Sequence, residues 1–360
     1  MLFGAALLMF DTNFDKQKLM YHPKELGYWL GHNVTKGPIY TEMELCSKCN
    51  CQCIFCGVDY LVNKTDDMIE TALARKIISD LHSLGNKSIM FSGHGESLLH
   101  PDAEQIISFA TELMSASVTT NGLMLTDKNI GLIDSLEWIR FSVNGYNPDN
   151  YAHIHGTAPE MFERVIANIT GAVKRKRKLA LELTIGSQLV LLDDNAQGVV
   201  DLARRLKEIG VDYFSVKPYS QHPLSENKMS IDYSRFTELE KECNALEDDS
   251  FKMIFRAGSM KKVGAKKQYR KCYGTNFLCF VCANGDIYEC NVFAGDPRFL
   301  LGNTNNESLK DIWRGQRRKS VLAFIENELD IDSCRDICRM DECNKYLWRL
   351  KHPWPHDNFI

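Results

Sequence analysis

The sequence lacks the features that mark membrane, secreted and nucleic-acid-binding proteins. No run of 18 apolar residues is present, and the apolar stretch 1–10 has no basic segment before it and acidic residues after it. A membrane span and a secretory signal are therefore not expected. The net charge is also small, with 43 Lys and Arg against 47 Asp and Glu, and it offers no general attraction for nucleic acid or anionic lipid. We expect a cytoplasmic protein with neither a nucleic-acid nor a membrane partner.

Cysteine, by contrast, is abundant, with 13 in 360 residues. A chain of this length, with 44% hydrophobic residues, can build roughly two domains with stable cores and needs no disulfides. In the cytoplasm, clustered cysteines more often bind metal or carry out redox chemistry. All but Cys243 fall into three groups: Cys46, Cys49, Cys51, Cys53 and Cys56; Cys272, Cys279, Cys282 and Cys290; Cys334, Cys338 and Cys343.

The region between the first two groups alternates between short apolar strands and amphipathic helices. Six such strands predict parallel βα units, short of the eight of a closed barrel. We therefore expect an α/β fold, a partial (β/α)6 barrel, with chemistry on the loops that follow the strands. The expected divisions are an N-terminal arm (1–37), the barrel (38–220), a linker and helix (221–268) and a small cysteine-rich domain (269–360).

The first cysteine group follows the first predicted strand. Cys49, Cys53 and Cys56 have the spacing C-x3-C-x2-C, and three thiolates can hold three irons of a 4Fe–4S cube, leaving the fourth iron open to a small ligand. Cys46 and Cys51 are then spare. The same group also contains two C-x2-C pairs, so a four-thiolate zinc site is the alternative from the cysteines alone.

Three further segments match one known family in the same order. C-N-x-x-C-x-F-C is followed by F-S-G-H-G-E at 91–96, R-F-S-V-N-G at 140–145 and K-P-Y at 217–219. Together they resemble the radical S-adenosylmethionine (radical SAM) superfamily over roughly residues 38–220. The resemblance implies that Cys49, Cys53 and Cys56 ligate a 4Fe–4S cluster, that S-adenosylmethionine (SAM) occupies the open iron, and that its reductive cleavage gives a 5′-deoxyadenosyl radical.

The resemblance also implies residues that bind SAM. Glu96 accepts hydrogen bonds from the SAM ammonium, and the backbone of Gly93, His94 and Gly95 lies against SAM, with His94 standing where the family has a glycine. Three polar residues at the ends of the fourth and fifth strands are the remaining candidates for SAM contacts: Ser142, Asn144 and Gln188.

The C-terminal cysteines resemble the SPASM and shorter twitch extensions of that superfamily. Cys272, Gly285 and Cys290 fit a C-x(9–15)-G-x4-C pattern, whose Asn-Gly turn favours a hairpin. The resemblance implies an auxiliary 4Fe–4S cluster, with candidate ligands Cys272, Cys290, Cys334 and Cys338. Cys343 competes with the last two, the pattern does not require Cys279 or Cys282, and a zinc ribbon is the alternative for the whole unit.

The resemblance gives the radical initiator but not the substrate. We expect a small-molecule substrate of polar or sugar type, which is oxidised, epimerised or rearranged, and an external one-electron donor of flavodoxin or ferredoxin type. A peptide-modifying maturase is the alternative. A non-catalytic Fe–S electron carrier is a remote one, because a carrier does not need the Glu96 loop to hold SAM.

Overall fold

The computed structural model describes residues 18–359. The apolar stretch 1–10 and most of the first half of the expected N-terminal arm lie outside the described residues. The strands of the described chain are β1 (Tyr40–Met43), β2 (Ser88–Phe91), β3 (Ser115–Thr120), β4 (Trp138–Ser142), β5 (Thr184–Leu191), β6 (Tyr213–Pro218), β7 (Lys252–Phe255), β8 (Leu278–Val281), β9 (Asp286–Tyr288) and β10 (Leu300–Asn303).

Helices alternate with the first strands and then gather in the C-terminal part of the chain. They are α1 (Pro23–His32), α2 (Thr71–Leu84), α3 (Ala103–Thr111), α4 (Pro148–His155), α5 (Glu160–Leu179), α6 (Val199–Ile209), α7 (Thr237–Asn244), α8 (Ala257–Met260), α9 (Leu309–Arg314), α10 (Gln316–Asn327) and α11 (Asp341–Lys351). None of the helices between residues 18 and 359 is long and apolar enough to cross a membrane.

All ten strands belong to one sheet, in the order β10-β9-β8-β1-β2-β3-β4-β5-β6-β7. Neighbours from β1 to β7 pair in parallel, as the βα alternation predicts. The segment expected to be a linker and helix therefore also contributes β7 to the sheet. On the other side, β8 pairs in parallel with β1 and continues into the antiparallel strands β9 and β10. The cysteine-rich C-terminal part thus extends the sheet of the barrel.

The two faces of the parallel strands differ in character. On β4, Ile139 and Phe141 are fully buried in the main hydrophobic core, to which helices α2, α3, α5 and α6 also contribute. The residues that alternate with them, Arg140 and Ser142, are only partly buried and lie on the opposite face, because side chains alternate along a strand. We call this inner face of the curved sheet the lumen. Its lining includes the polar side chains of Arg140, Ser142 and Gln188 together with apolar ones such as Met90.

Local sequence signals explain where the covering helices end. Helix α2 ends at Gly85 and α6 at Gly210, both with positive φ, the left-handed conformation that glycine adopts without strain. Helix α5 carries Lys176, Arg177 and Lys178 in its last turn, where cations favour the helix dipole. The basic run 174–178 therefore belongs to the end of this helix.

Candidate active site

The loop that follows β1 carries the first cysteine group and is held by backbone hydrogen bonds. The amides of Gln52 and Ile54 donate to the carbonyls of His155 (2.8 Å) and Ile154 (3.0 Å) at the end of α4. The amide of Cys49 donates to Asn63 Oδ1 (2.8 Å). The loop has no regular secondary structure, so these anchors fix the positions of its thiols.

The five thiols of this loop fall into two classes. Cys49, Cys53 and Cys56 are half-buried, whereas Cys46 and Cys51 are 1% and 4% exposed. Cys51 lies beside Cys49, and its amide donates to Cys49 Sγ (3.4 Å). Burial raises the pKa of Cys56 to about 11. The three cysteines that the motif selects are therefore those whose thiols are partly open, while both spare thiols are closed off in the protein interior.

His155, at the end of α4, adds a hydrogen bond that the sequence did not indicate. Its Nε2 accepts from the amide of Asn144 (3.1 Å), so the ring proton is on Nδ1, which lies 3.4 Å from Cys53 Sγ. Burial lowers the pKa of His155 to about 3, so the ring is neutral at pH 7. His155 can therefore donate to a Cys53 thiolate without adding a charge.

The loop after β2 approaches the cysteine loop closely. A Cβ on Gly95 would lie 2.2 Å from the carbonyl oxygen of Cys46, and a Cβ on Gly93 would lie 2.6 Å from Glu44 Cβ. Neither space admits a larger side chain. The amide of Glu96 also donates to the carbonyl of Lys48 (2.7 Å). The glycines of this motif thus allow two functional loops to pack directly against each other.

Glu96 is buried and already bonded within the protein. Its Oε1 accepts from the Leu98 amide (3.1 Å) and Thr120 Oγ1 (2.9 Å), and its Oε2 accepts from the Asn121 amide (2.8 Å). Burial raises the pKa of this carboxyl. These hydrogen bonds make Glu96 a link between the loop after β2 and the end of β3. A SAM ammonium would have to share the same two oxygens. The direct contact implied by the resemblance stays a prediction.

His94 forms a buried pair with Glu44. The Glu44 carboxylate accepts from the His94 backbone (2.6 Å) and lies 2.9 Å from His94 Nδ1. Burial alone would raise the pKa of Glu44, but its hydrogen bonds to His94 outweigh that effect and lower it. His94 stands where the family has a glycine, and its side chain is therefore held by the Glu44 carboxylate just after β1. The His94 side chain packs edge-on against Phe280 of β8.

The three polar residues expected to contact SAM at the ends of β4 and β5 have different surroundings. Ser142 and Gln188 occupy paired positions on β4 and β5, in the rows that face the lumen. Asn144, in contrast, is 2% exposed, and its Oδ1 accepts from the Val190 amide (2.7 Å) while its Nδ2 lies 3.3 Å from His155 Nε2. Asn144 therefore belongs to the network that orients His155, whereas contacts of Ser142 and of the buried Gln188 with SAM stay a prediction.

The second and third cysteine groups meet at the C-terminal end of the chain. Cys290 lies two residues after the end of β9, where burial raises its pKa well above the usual range and the nearby Cys338, Cys334 and Cys272 thiols raise it further. Asn344 Nδ2 donates to Cys272 Sγ (3.3 Å). These four thiols lie in one region of the C-terminal part of the chain, and their role as ligands of an auxiliary cluster stays a prediction.

The remaining cysteines differ in how they relate to these four. Burial raises the pKa of Cys343, and the nearby Cys338 and Cys272 thiols raise it further, so Cys343 stays a competing candidate ligand of this site. Cys343 packs beside a separate apolar cluster that contains Trp29 and Leu347. Cys279 and Cys282 lie in and next to β8, are buried, and belong to the main core. Cys243 is fully buried on α7. The geometry favours spare, buried thiols at Cys279, Cys282 and Cys243.

Both thiol groups suit an iron–sulfur cluster in their donor chemistry. Each combines soft sulfur ligands with nearby N–H donors, from His155 and from Asn344, and outer-shell donors of this kind stabilise thiolate ligands. Within residues 18–359, no three Cys, His, Asp or Glu side chains converge closely enough to hold a single metal ion. The thiols are thus not drawn together around one position.

Comparison with known proteins finds one family model in each of two parts of the chain. Residues 43–206 match the radical SAM superfamily model, and residues 272–344 match an iron–sulfur cluster-binding domain model, named SPASM. The tungsten-containing aldehyde ferredoxin oxidoreductase cofactor-modifying protein of Pyrococcus furiosus is 24% identical over 330 residues, 85% of this chain and 88% of that protein. The AdoMet-dependent heme synthase of Nitratidesulfovibrio vulgaris is 21% identical over 296 residues, 75% and 77%.

The fold is shared with a solved structure. Streptococcus suis SuiB bound to S-adenosylmethionine superposes with a TM-score of 0.66 at 17% identity, over 94% of this chain and 80% of that one. This chain belongs to the radical SAM superfamily. It is a radical SAM enzyme with a C-terminal SPASM-type domain, and its cofactors are SAM and iron–sulfur clusters in both domains.

Proposed function

We propose that this enzyme holds a 4Fe–4S cluster with Cys49, Cys53 and Cys56 and removes a hydrogen atom from a small polar substrate in the barrel lumen. The cluster and SAM together supply 5′-deoxyadenosyl radical chemistry when bound. The observation that carries the proposal is the polar lumen itself. Ser142 and Gln188 lie on it at the end where the cysteine loop leaves the sheet, and neither side chain hydrogen-bonds to another described residue.

The protein groups around the lumen have separable tasks in this proposal. His155 donates to Cys53 and orients it. The Gly93–Gly95 backbone and Glu96 bring the loop after β2 against the cysteine loop. Ser142 and Gln188 offer hydroxyl and amide groups to SAM or to the substrate. The second set, Cys272, Cys290, Cys334 and Cys338, would hold the auxiliary cluster, which would supply one-electron chemistry there.

The relatives leave the choice of substrate open. One modifies a cofactor and another makes heme, and a probable GTP 3′,8-cyclase of Methanosarcina acetivorans is 29% identical over 137 residues, 37% of this chain and 41% of that protein. All three names point to small molecules, which favours a small-molecule substrate here. The likeness to SuiB extends to the fold alone. We further propose an external one-electron donor of flavodoxin or ferredoxin type, since cleavage of SAM requires an electron.

Anaerobic reconstitution followed by product analysis tests this function. The reduced enzyme is incubated with SAM and deuterated candidate substrates, and 5′-deoxyadenosine is analysed by mass spectrometry. We expect 5′-deoxyadenosine to form and to acquire deuterium from the true substrate. A reconstituted protein that forms no 5′-deoxyadenosine under any reducing condition would contradict the proposed function.

A further inference from the structure

Two strands place cations on the lumen. Arg140 lies between Ile139 and Phe141 on β4, and both of these neighbours belong to the main core. Lys217 follows the core residue Val216 on β6. Because side chains alternate along a strand, Arg140 and Lys217 both face the lumen. Both are partly buried, as expected for side chains inside the barrel.

The auxiliary-site loop adds two further cations to the same region. Arg335 Nε donates to Ser220 Oγ (3.0 Å), just beyond β6. Arg339 forms an ion pair with Glu42 on β1 (2.5 Å) and hydrogen-bonds Tyr40 Oη. Arg339 therefore reaches from the loop 334–339 to β1, and Arg335 reaches from the same loop to the segment just after β6.

The cations are close enough to repel one another. Burial lowers the pKa of Lys217 well below its usual range, and the charges of Arg140, Arg335, Arg256 and Arg339 lower it further. Like charges in a poorly solvated interior are unfavourable unless an anion compensates them. A protonated Lys217 beside these guanidinium groups therefore destabilises the free protein.

The carboxylates of the described residues do not balance the charge of Arg140, Lys217 and Arg335. Within residues 18–359, Glu42 pairs with Arg339, and no carboxylate lies within 4.0 Å of the charged nitrogens of Arg140, Lys217 or Arg335. Arg140 Nη2 donates to Thr119 Oγ1 (3.1 Å), while its buried Nε has no hydrogen-bond partner. Buried donors are almost always satisfied in native proteins. An orphaned guanidinium nitrogen on the lumen indicates a group that arrives with a ligand.

The position of Arg335 relates this charge to the proposed reaction. A Cβ on Gly57, next to Cys56, would lie 3.6 Å from Arg335 Nη2, and Arg335 itself follows Cys334. Arg335 thus lies between the two sets of candidate cluster ligands. A ligand that contacts it would lie between the proposed site of SAM cleavage and the auxiliary site.

We propose that the lumen binds a small substrate carrying at least two anionic groups, phosphate or carboxylate, through Arg140, Lys217 and Arg335. This inference rests on the proposed function only in taking the lumen as the substrate site. Guanidinium groups bind phosphate and carboxylate oxygens in pairs, and an ammonium adds a compact charge. The substrate of polar or sugar type expected from the sequence would then carry anionic groups, since an uncharged sugar offers no charge to Arg140 and Lys217.

Anaerobic calorimetry on the reconstituted enzyme with SAM tests the proposal. Fructose 1,6-bisphosphate and tricarballylate serve as the phosphate and carboxylate probes, and fructose is the neutral control. We expect at least one anionic probe to bind and fructose not to bind. Tighter binding of the bisphosphate identifies a phosphorylated substrate, and tighter binding of tricarballylate identifies a polycarboxylate. No binding of either probe, or binding of an acidic peptide such as hexaglutamate alone, would overturn the proposal.

Variants distinguish a binding role from a structural one. Lys217→Met and Arg140→Gln are expected to weaken probe binding by about ten- to a hundredfold, as charge-assisted hydrogen bonds are lost. Lys174→Gln, on the exposed face of α5, removes the same charge and should bind as wild type. Without a probe, Lys217→Met should melt at the wild-type temperature or above, because it removes a buried amine whose charged form is disfavoured in the free protein. Wild-type affinity in Lys217→Met would overturn the assignment.

The two proposals can fail separately. Formation of 5′-deoxyadenosine from SAM in the wild-type enzyme needs no anionic probe and tests only the proposed function. An enzyme that cleaves SAM but binds no anion would retain the function and lose this inference. An enzyme that binds anions at these residues but never cleaves SAM would retain this inference and lose the proposed function.

Discussion

One buried histidine connects the fold to the proposed cluster. His155 closes helix α4, accepts the Asn144 amide and directs Nδ1 to Cys53. Its ring also stacks on Tyr151 at 4.2 Å between centroids. A neutral donor to a thiolate ligand stabilises the more negative, reduced state of a cluster, because it offsets part of the added charge. His155 therefore favours reduction of the cluster.

Replacing this donor should lower the reduction potential of the cluster. His155→Phe keeps an aromatic ring against Tyr151 but removes the N–H, so we expect a more negative midpoint potential with iron content unchanged. A redox titration followed by electron paramagnetic resonance measures it. His153→Phe, on the same helix but with its side chain 61% exposed, is the matched control. Equal potentials in the two variants would show that the hydrogen bond does not act on the cluster.

The neighbouring thiols Cys49 and Cys51 allow a test of the ligand register. Cys49→Ala should abolish formation of 5′-deoxyadenosine, since the cluster would lack a ligand, and Cys53→Ala and Cys56→Ala should do the same. Cys51→Ala removes a thiol of the same loop that is 4% exposed and should retain the activity. Loss of activity in Cys51→Ala together with activity in Cys49→Ala would move the register by two residues.

At the scale of elements, a buried ion pair fastens the auxiliary hairpin. Glu289 stands just before Cys290, and both its oxygens bond Arg318 of α10, at 2.9 and 3.1 Å. Both side chains are almost fully buried, and the guanidinium lies 3.6 Å from the Trp313 ring centroid. The pair therefore joins the end of β9 to helix α10 beside a candidate cluster ligand.

Replacing Arg318 alone should destabilise the protein more than replacing both Arg318 and Glu289. Arg318→Met leaves Glu289 buried without its partner, which costs about 3–5 kcal/mol, whereas a double change to apolar residues is often much milder. We expect Arg318→Met to lower the melting temperature strongly and Arg318→Met with Glu289→Met to recover part of the loss. Arg204→Met, in an exposed pair with Asp201, should change it little. A double variant less stable than the single one would contradict this account.

The sequence predicts elements well where the signal is local. Strands β1–β6 and their helices follow from apolar periodicity and from glycine stops, and the cysteine groups follow from spacing. Strand β7 has only four residues, Lys252–Phe255, in a charged segment, and was not predicted. Its place depends on pairing with β6, and pairing between strands is not visible in a local pattern.

Contacts between distant segments account for what the sequence did not reveal about the site. His155 and Cys53 are 102 positions apart, and α4 alone does not indicate that its last residue meets the cysteine loop. The lumen cations come from β4, β6 and the loop 334–339. Nothing in the sequence around them distinguishes these residues from charged residues exposed on the surface. Glu96 matched its motif, but its bonds to Thr120 and Asn121 appear only when β2 and β3 lie side by side.

At the scale of the whole molecule, the chain holds two thiol sets on one continuous sheet. One set follows β1 in the barrel, and the other is assembled from the hairpin β8–β9 and the C-terminal loop. Because β8 pairs with β1, the two sites share a framework and yet have separate ligands. The central claim is that both are iron–sulfur sites and that only the barrel site cleaves SAM.

The most direct test is the iron content and SAM cleavage of Cys272→Ala with Cys290→Ala, compared with wild type. Two 4Fe–4S clusters predict roughly eight irons per chain in wild type and roughly four in the double variant, which should still form 5′-deoxyadenosine. Turnover of the true substrate should be lost. Wild-type protein with roughly four irons and zinc in the C-terminal site, or a double variant that retains its iron but no longer cleaves SAM, would contradict the account.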